Sequence, residues 1–381
     1  MSGPLAGLLV VSLEQAVAAP FATRQLADWG ARVVKVERPG GDFARRYDET
    51  VRGMSSYFVW LNRGKESVEL DLKAPEGRAT LEALLGRADV FVHNLAPGAV
   101  DRLGFDANTL AARNPGLVDV AITGYGETGP YASKKAYDLL IQCEAGFLDV
   151  TGIGDEPVKA GISIADIAAG MYAYTGALTA LLTRTATGRG DVVRVSMLDA
   201  LGEWMSQPYY FATYGGESPA RAGASHASIA PYGPFAASDG KVFLGIQNDR
   251  EWAAFCALVL LDPARASDPR FLDNPNRVAH RADLHSLIDA CFSGLTAAEI
   301  VDRLDRAGIA NARLRTVAEF AAHPQLAKRD RWREVATPVG PVRAFRPPVE
   351  SRHTESTLGP VPALGEHTES ILAEVSSWAR E

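Results

Sequence analysis

Cysteine is scarce in this sequence of 381 residues, and the three that occur, Cys143, Cys256 and Cys291, are far apart. So few and so widely spaced cysteines exclude a disulfide framework and a paired-cysteine metal site. The seven histidines show no ligand spacing either, so we expect no metal site. This cysteine usage predicts a reducing, cytoplasmic compartment.

An excess of positive charge is also lacking, because 39 lysines and arginines face 46 acidic residues, for a net charge of −7. That balance disfavours a general nucleic-acid or anionic-membrane binder, so neither partner is expected. The longest apolar stretch, residues 167–182, is shorter than the ~20 residues of a membrane span. We therefore predict that it forms a helix buried in protein. The amino terminus shows no secretory signal pattern, so we do not expect export.

The common nucleotide and hydrolase motifs are missing as well. Residues 14–20, between the first predicted strand and helix, hold no glycine-rich fingerprint, which makes dinucleotide binding a weak interpretation. Glu37 ends the second strand where a ribose-binding acid would lie, but we interpret it as a solvated strand end. No phosphate-binding loop, zinc-protease motif or serine-hydrolase elbow occurs.

What the sequence does contain is a repeated alternation of strand and helix patterns. A nearly continuous apolar run predicts a strand at 5–13, and further strands are predicted at 32–37, 66–72, 89–93, 117–123 and 192–197, with helices between them and a long helix at 167–184. Strands that are apolar throughout are typical of a parallel sheet covered on both faces. We therefore predict an α/β protein.

The length favours two domains. We predict a large domain over 1–212, a linker over 213–234, a smaller α+β domain over 235–330, and a return segment over 331–381. The tail is too short to fold alone, so we expect it to complete the large domain.

Three basic residues follow predicted strands: Arg38 after the second, Lys73 after the third and Arg102 in the turn after the fourth. The ligand crevice of an open α/β sheet lies at the carboxyl ends of its strands, so these cations could hold phosphate groups. The alternative is that each is a solvated surface charge.

Asp166 stands at the start of the long predicted helix. Aspartate is a preferred helix N-cap, and a carboxylate at an apolar helix start can also act as a nucleophile. The residues alone leave both roles open.

Ordered segments along nearly the whole chain resemble one family, the class III coenzyme A transferases of the formyl-CoA and carnitine CoA-transferase group. They are residues 4–11, 26–37, 69–77, 94–104, 164–171, 187–190 and 364–368. The resemblance implies a Rossmann-like large domain built from both chain ends, a small domain between them, and two interlocked subunits.

The resemblance also implies site residues and a reaction. Asp166 would be the nucleophile that forms an aspartyl anhydride and then a thioester, with CoA as a co-substrate and no permanently bound cofactor. The implied CoA contacts are Arg38, Leu72, Lys73, Asn94, Leu95, Arg102, Lys135, Ala136, Tyr137 and Asp138.

The alternatives are an α-methylacyl-CoA racemase and a non-catalytic acyl-CoA-binding protein. Racemisation needs a base beside the α-carbon, and Tyr137 stands where the racemase motif carries histidine; tyrosine is a poor base at neutral pH.

Residues 223–234 look similar to those of transferases acting on short dicarboxylates such as mesaconate, itaconate or citramalate, with succinyl-CoA as donor. His226 and Arg221 could pair with the distal carboxylate of such an acid, although a buried structural role for His226 is an equal alternative.

Overall fold

The computed structural model describes residues 3–378, and these form two units. The large unit comprises residues 3–146, 160–206 and 326–378, and the small unit comprises 147–159 and 207–325. Residues 147–159, inside the predicted large domain, thus group with the small unit. Residues 1–2 and 379–381 of the predicted domains, and the end of the helix predicted near 367–380, lie outside the described residues.

A six-stranded parallel sheet is the centre of the large unit. Its strands are Leu9–Leu13, Arg32–Glu37, Lys65–Glu69, Val90–His93, Val118–Thr123 and Val192–Ser196. Numbered along the chain, they are ordered 3-2-1-4-5-6 across the sheet, and every neighbouring pair is parallel. This is the order of a doubly wound sheet, whose direction of winding reverses between the first and fourth strands.

The helices of the large unit cover this sheet. They are Ala18–Asp28, Ser56–Leu61, Pro75–Arg87, Ala99–Arg102, Ala107–Arg113, Asp138–Glu144, Ile164–Thr187, Met197–Trp204, Pro324–Lys328 at the boundary of the units, and Thr368–Trp378, with a 3₁₀ turn at Phe43–Arg46. The prediction for the long helix was too short at both ends. An antiparallel hairpin, Trp332–Val335 with Val342–Phe345, completes this unit.

The carboxyl-terminal segment packs on the large unit. Ser67 donates its hydroxyl to Glu37 and accepts the backbone N–H of Gly365, and Thr368 Oγ1 accepts the N–H of Glu69. Ile371 is buried in the core beside Leu81. Hydrogen bonds to the strand Lys65–Glu69 and the apolar packing of Ile371 therefore hold the tail on the large unit.

The small unit contains a three-stranded antiparallel sheet ordered Ala310–Arg313, Gly240–Gly245, Tyr232–Ala237, and a two-stranded one, Gly152–Ile153 with Glu156–Pro157. Its helical segments are Phe147–Val150, Ser206–Gly215, Asp249–Ala254, Phe255–Val259, Pro263–Ser267, Asn274–Ala279, Arg281–Phe292, Ala297–Arg306 and Val317–Ala321. The predicted linker 213–234 thus includes the end of one helix and the start of a strand.

In the part of the chain that the structure describes, no single helix is long and apolar enough to cross a bilayer. One pair of helices joined by a sharp bend, Arg281–Phe292 and Ala297–Arg306, reaches that length and apolar character only when the two helices are taken together.

Candidate active site

A cavity of about 280 Å³ opens at the carboxyl ends of the first three strands. Four of the predicted CoA contacts line it: Arg38, Leu72, Lys73 and Leu95. They come from the loops after the second, third and fourth strands, which a parallel sheet brings to one edge. The strand order therefore assembles residues that are far apart in the sequence.

The three strand-end cations Arg38, Lys73 and Arg102 are exposed. Arg38 Nε donates to the carbonyl of Gly41 at 3.2 Å, but within residues 3–378 none of the three has a carboxylate partner. Their charge is therefore available to an anion arriving from solvent, whereas many other arginines of this unit are ion-paired.

Asn94 lies at the reversal point of the sheet and joins its two halves. Its amide nitrogen donates to the carbonyl of Gln15, and its oxygen accepts the N–H of Gln15, both at 2.9 Å. Asn94, a predicted CoA contact, therefore holds the first βα loop, residues 14–17, against the end of the fourth strand.

The backbone of that loop is held in an uncommon conformation. Ala16 has φ +62°, in the left-handed region that non-glycine residues rarely adopt. Its N–H donates to Asp42 at 3.2 Å, and Asp42 also binds Lys35 at 2.9 Å. Strain of this kind persists only where neighbouring contacts fix it.

Below the loop lies a charge cluster without solvent exposure. Glu14 accepts from Lys65 at 2.6 Å and from Lys35 at 3.4 Å, and the side chains of all three are fully buried. Although burial alone would raise it, these two cations bring the pKa of Glu14 below its ordinary value. The cluster fixes the carboxyl end of the first strand from beneath.

The interpretation of Glu37 as a solvated strand end is wrong. Glu37 is 2% exposed and accepts two hydrogen bonds from Arg45, at 2.6 and 2.8 Å, and one from Ser67 at 2.7 Å. The Arg45 guanidinium helps to lower its pKa to about 2 despite burial. Its oxygens are occupied within the protein, so it is not a ribose ligand.

Asp166 lies in the first turn of the helix Ile164–Thr187 and is half-buried. The alternative in which it caps this helix is wrong, because Ser163 occupies the N-cap position and the cap makes no side-chain hydrogen bond. Burial, followed by the charge of Asp138, raises the pKa of Asp166 to about 7. Within residues 3–378 no cation pairs with it.

Asp138 satisfies the helix start instead. Its Oδ1 accepts the N–H of Ala165 at 2.8 Å and that of Asp166 at 3.4 Å. Its Oδ2 accepts from the amide of Gln142 at 2.6 Å, and the oxygen of Gln142 accepts the N–H of Ala160 at 3.0 Å. Gln142 is completely buried. This chain of hydrogen bonds fixes two carboxylates beside each other.

The rest of the predicted segment 135–138 packs at the end of the fifth strand. The methyl group of Ala136 lies where any side chain on Gly124 would be, so Gly124 is the residue that permits this contact. Lys135 is exposed, and Tyr137 is 67% exposed.

Tyr47 is a further candidate residue, which the sequence did not indicate. Burial, and then the charges of Asp42 and Asp166, raise the pKa of its hydroxyl to about 12. It follows a short 3₁₀ turn and carries no motif, so no sequence signal pointed to it.

His226 and Arg221 belong to the small unit. Arg221 donates to the carbonyls of Leu148 and Gly154 and to Asp149, at 3.0, 3.4 and 3.4 Å. The ring of His226 stacks on Tyr232 at a centroid distance of 5.2 Å, and its Nδ1 accepts the N–H of Ser228.

Among the described side chains, no group of three or more histidine, cysteine or acidic residues is placed to hold a metal ion. All three cysteines are free thiols.

Comparison with known proteins identifies the family. The sequence matches CoA-transferase family III over residues 5–368. It is 38% identical to the acetyl-CoA:oxalate CoA-transferase of Acetobacter aceti, over 86% of this chain and 85% of that protein. It is 32% identical to the succinyl-CoA:mesaconate CoA-transferase of Haloarcula marismortui, over 98% of this chain and 96% of that protein.

Among solved structures, that of a CAIB/BAIF family protein from Brucella suis superposes with a TM-score of 0.87 at 34% identity, covering 98% of this chain and 100% of that one. The resemblance drawn from the sequence motifs is confirmed: this chain is an enzyme of CoA-transferase family III.

Proposed function

We propose that this enzyme moves CoA from succinyl-CoA to a short dicarboxylic acid, with Asp166 as the covalent nucleophile. The observation that carries the proposal is the state of Asp166: a half-buried carboxylate with a raised pKa, without a cation, beside the predicted CoA-binding segment 135–138.

In the first step the Asp166 carboxylate attacks the thioester carbonyl of succinyl-CoA. The carbon–sulfur bond breaks, leaving a mixed anhydride between Asp166 and succinate, and CoA departs as its thiolate. The thiolate then attacks the aspartyl carbonyl of the anhydride, which forms an aspartyl-CoA thioester and releases succinate.

In the second half the acceptor carboxylate attacks the aspartyl thioester, giving a new anhydride and the thiolate again. Attack of that thiolate on the acceptor's acyl carbon forms the product thioester and regenerates the Asp166 carboxylate. No proton is gained or lost over the cycle, so the site needs an ionised aspartate but no general acid.

The raised pKa supports this role. A carboxylate that is costly to ionise in the folded protein is more basic, and basicity increases nucleophilic strength. Burial also excludes the water that would otherwise hydrolyse the anhydride.

The unpaired cations at the strand edge support CoA binding. Arg38, Lys73 and Arg102 would pair with the phosphates of CoA. Leu72 and Leu95 supply an apolar wall in the cavity that Arg38 and Lys73 also line. The other predicted CoA contacts are Asn94, Lys135, Ala136, Tyr137 and Asp138. Of these, Asn94 and Asp138 also accept hydrogen bonds from backbone N–H groups of the protein.

The acceptor is a C4–C5 dicarboxylate, with mesaconate, itaconate and citramalate as the first candidates. The relative that acts on succinyl-CoA and mesaconate, a C5 dicarboxylate, supports this part of the proposal. His226 and Arg221 are the proposed cations for the distal carboxylate; Arg221 would have to exchange its present carbonyl partners for that group.

We further propose an interlocked homodimer in the cytoplasm. Exposed rings on one helix, Tyr209, Tyr210 and Tyr214, support a covered surface, since contiguous exposed apolar groups commonly mark an interface. Sedimentation at nanomolar concentration should find a dimer, and a folded species of 40.7 kDa would refute it.

A panel of acids offered with succinyl-CoA, with products identified by mass spectrometry, tests the assignment. We expect mesaconate, itaconate or citramalate to form CoA esters with specificity constants roughly ten- to a hundred-fold above that of butyrate. A ratio of this size corresponds to the free energy of one charge-assisted hydrogen bond to the distal carboxylate. Carnitine is the second comparison. Preference for butyrate or carnitine, or an unchanged ratio in both His226→Ala and Arg221→Ala, would overturn the dicarboxylate assignment.

A further inference from the structure

A second cavity of the large unit, of about 390 Å³, lies apart from the strand edge described above. It is bounded by the helix Ala18–Asp28, residues 56–63 and the hairpin 332–345, and no predicted CoA contact or Asp166 lines it. Its volume is in the range of small-molecule sites, roughly 300–1,000 Å³.

The inner wall of this cavity carries more positive charge than its carboxylate can neutralise. Arg63 occupies both oxygens of Asp28, at 2.8 and 2.7 Å. Arg24 is only 9% exposed, and its Nε is 3.7 Å from the same carboxylate, beyond hydrogen-bond reach. Among the residues described, that Nε has no acceptor at all.

Two more arginines stand on the outer wall. Arg343 lies over the ring of Trp332 at 5.0 Å, and neither it nor Arg346 has a carboxylate partner within residues 3–378. The burial of Arg24 and the nearby Arg63 lower the pKa of Arg24 to about 10, although it remains charged at neutral pH. A buried, incompletely paired guanidinium is costly, and an anion placed beside it would reduce that cost.

The remaining wall is apolar and aromatic. Trp60, Val59, Val335 and Val342 face the same space. A fully hydrated inorganic anion would leave this surface without a partner, whereas a carboxylate joined to an apolar body would contact both the rings and the arginines.

We propose that this cavity is a second ligand site, distinct from the transferase site, and that it binds an organic carboxylate with an aromatic or branched apolar body. Arg24 supplies the inner charge, Arg343 and Arg346 close over the anion from the outside, and Trp60 contacts the apolar part.

Calorimetric titration with phenylacetate tests the site, in the full-length protein with saturating CoA and with Asp166→Asn as the background. Phenylacetamide, which has the same ring and no charge, is the matched ligand control. We expect one phenylacetate per chain, at least tenfold weaker binding of phenylacetamide, and quenching of tryptophan fluorescence by phenylacetate.

Arg24→Met keeps an unbranched side-chain stem and removes the charged guanidinium, and Arg78→Met, on an exposed helix position outside the cavity, is the matched variant. Arg24→Met should weaken phenylacetate binding at least tenfold, whereas Arg78→Met should leave it unchanged. Melting curves of both variants establish that each is folded at the temperature of the titration. Val342→Trp, which fills the cavity by bulk, should also abolish binding.

No binding of phenylacetate, equal binding of phenylacetamide, or unchanged binding by Arg24→Met would overturn the proposal; a second copy of the chain filling the cavity would give the first of these results. Because the background already lacks Asp166, each outcome is independent of whether the transferase mechanism is correct.

Discussion

Asp138 and Asp166 meet at the start of one helix, where Oδ1 of Asp138 accepts the backbone N–H of Asp166 at 3.4 Å. The contact places a second negative charge beside the proposed nucleophile and helps to raise the pKa of Asp166 to about 7, after burial as the larger cause. The same carboxylate therefore accepts hydrogen bonds from the start of the helix and raises the pKa of the proposed nucleophile.

This pairing predicts the pH dependence of turnover. In the wild type, kcat should fall as the pH drops through about 7, because Asp166 becomes protonated. In Asp138→Asn the midpoint should move to lower pH, yet stay above the ordinary carboxyl value of 3.8, since burial remains. A pH series of kcat for both proteins is the measurement, and coincident profiles would show that Asp138 does not act on Asp166.

Removing the proposed nucleophile should make the protein more stable while abolishing transfer. The raised pKa means that ionised Asp166 opposes folding, fully above about pH 7 and progressively less as the pH falls toward 3.8. Asp166→Asn should therefore melt at a higher temperature at pH 8, with a gain that shrinks on acidification. A lower melting temperature at pH 8 would indicate a structural role instead.

The strand-edge cations should act on binding rather than on chemistry. Arg38→Ala, Lys73→Ala and Arg102→Ala should raise KM for CoA esters more than they lower kcat, because contacts remote from the thioester stabilise ground and transition states alike. Calorimetry with CoA supplies the check, with exposed Arg78→Ala as the control. Unchanged affinity for CoA in all three variants would indicate that these residues are solvated surface charges and not CoA contacts.

The buried cluster under the first βα loop should matter for stability. Lys65→Met leaves Glu14 with one cation, Lys35 at the longer distance of 3.4 Å, beside the hydroxyl of Thr23, and should cost about 3–5 kcal/mol of unfolding free energy. Lys73→Met, at the exposed strand edge, should change it little. Urea unfolding compares the two, and equal stability would mean that the cluster is dispensable.

Local patterns were sufficient for much of this structure. The nearly continuous apolar run at 5–13 and the strand patterns of the other five segments located the six strands to within a few residues. Strand-end logic brought Arg38 and Lys73 to one cavity. The strand order was the one further piece of information needed to place these two side chains in the same cavity.

The contacts between distant segments were not accessible in the same way. Glu37 looked solvated because its partners Arg45 and Ser67 come from a turn and from another strand. The Asp138–Gln142 pair shows in the sequence only as a spacing of four residues, and its target amide is 27 residues away. Nothing in a single sequence distinguishes such a pair from two surface groups.

The most direct test of the account is to trap the aspartyl thioester. Enzyme mixed with succinyl-CoA and quenched with hydroxylamine should carry a hydroxamate on the peptide containing Asp166, detectable by mass spectrometry, and Asp166→Asn should carry none. If transfer proceeds while that peptide stays unmodified, or if the Asn variant remains active, Asp166 is not the nucleophile.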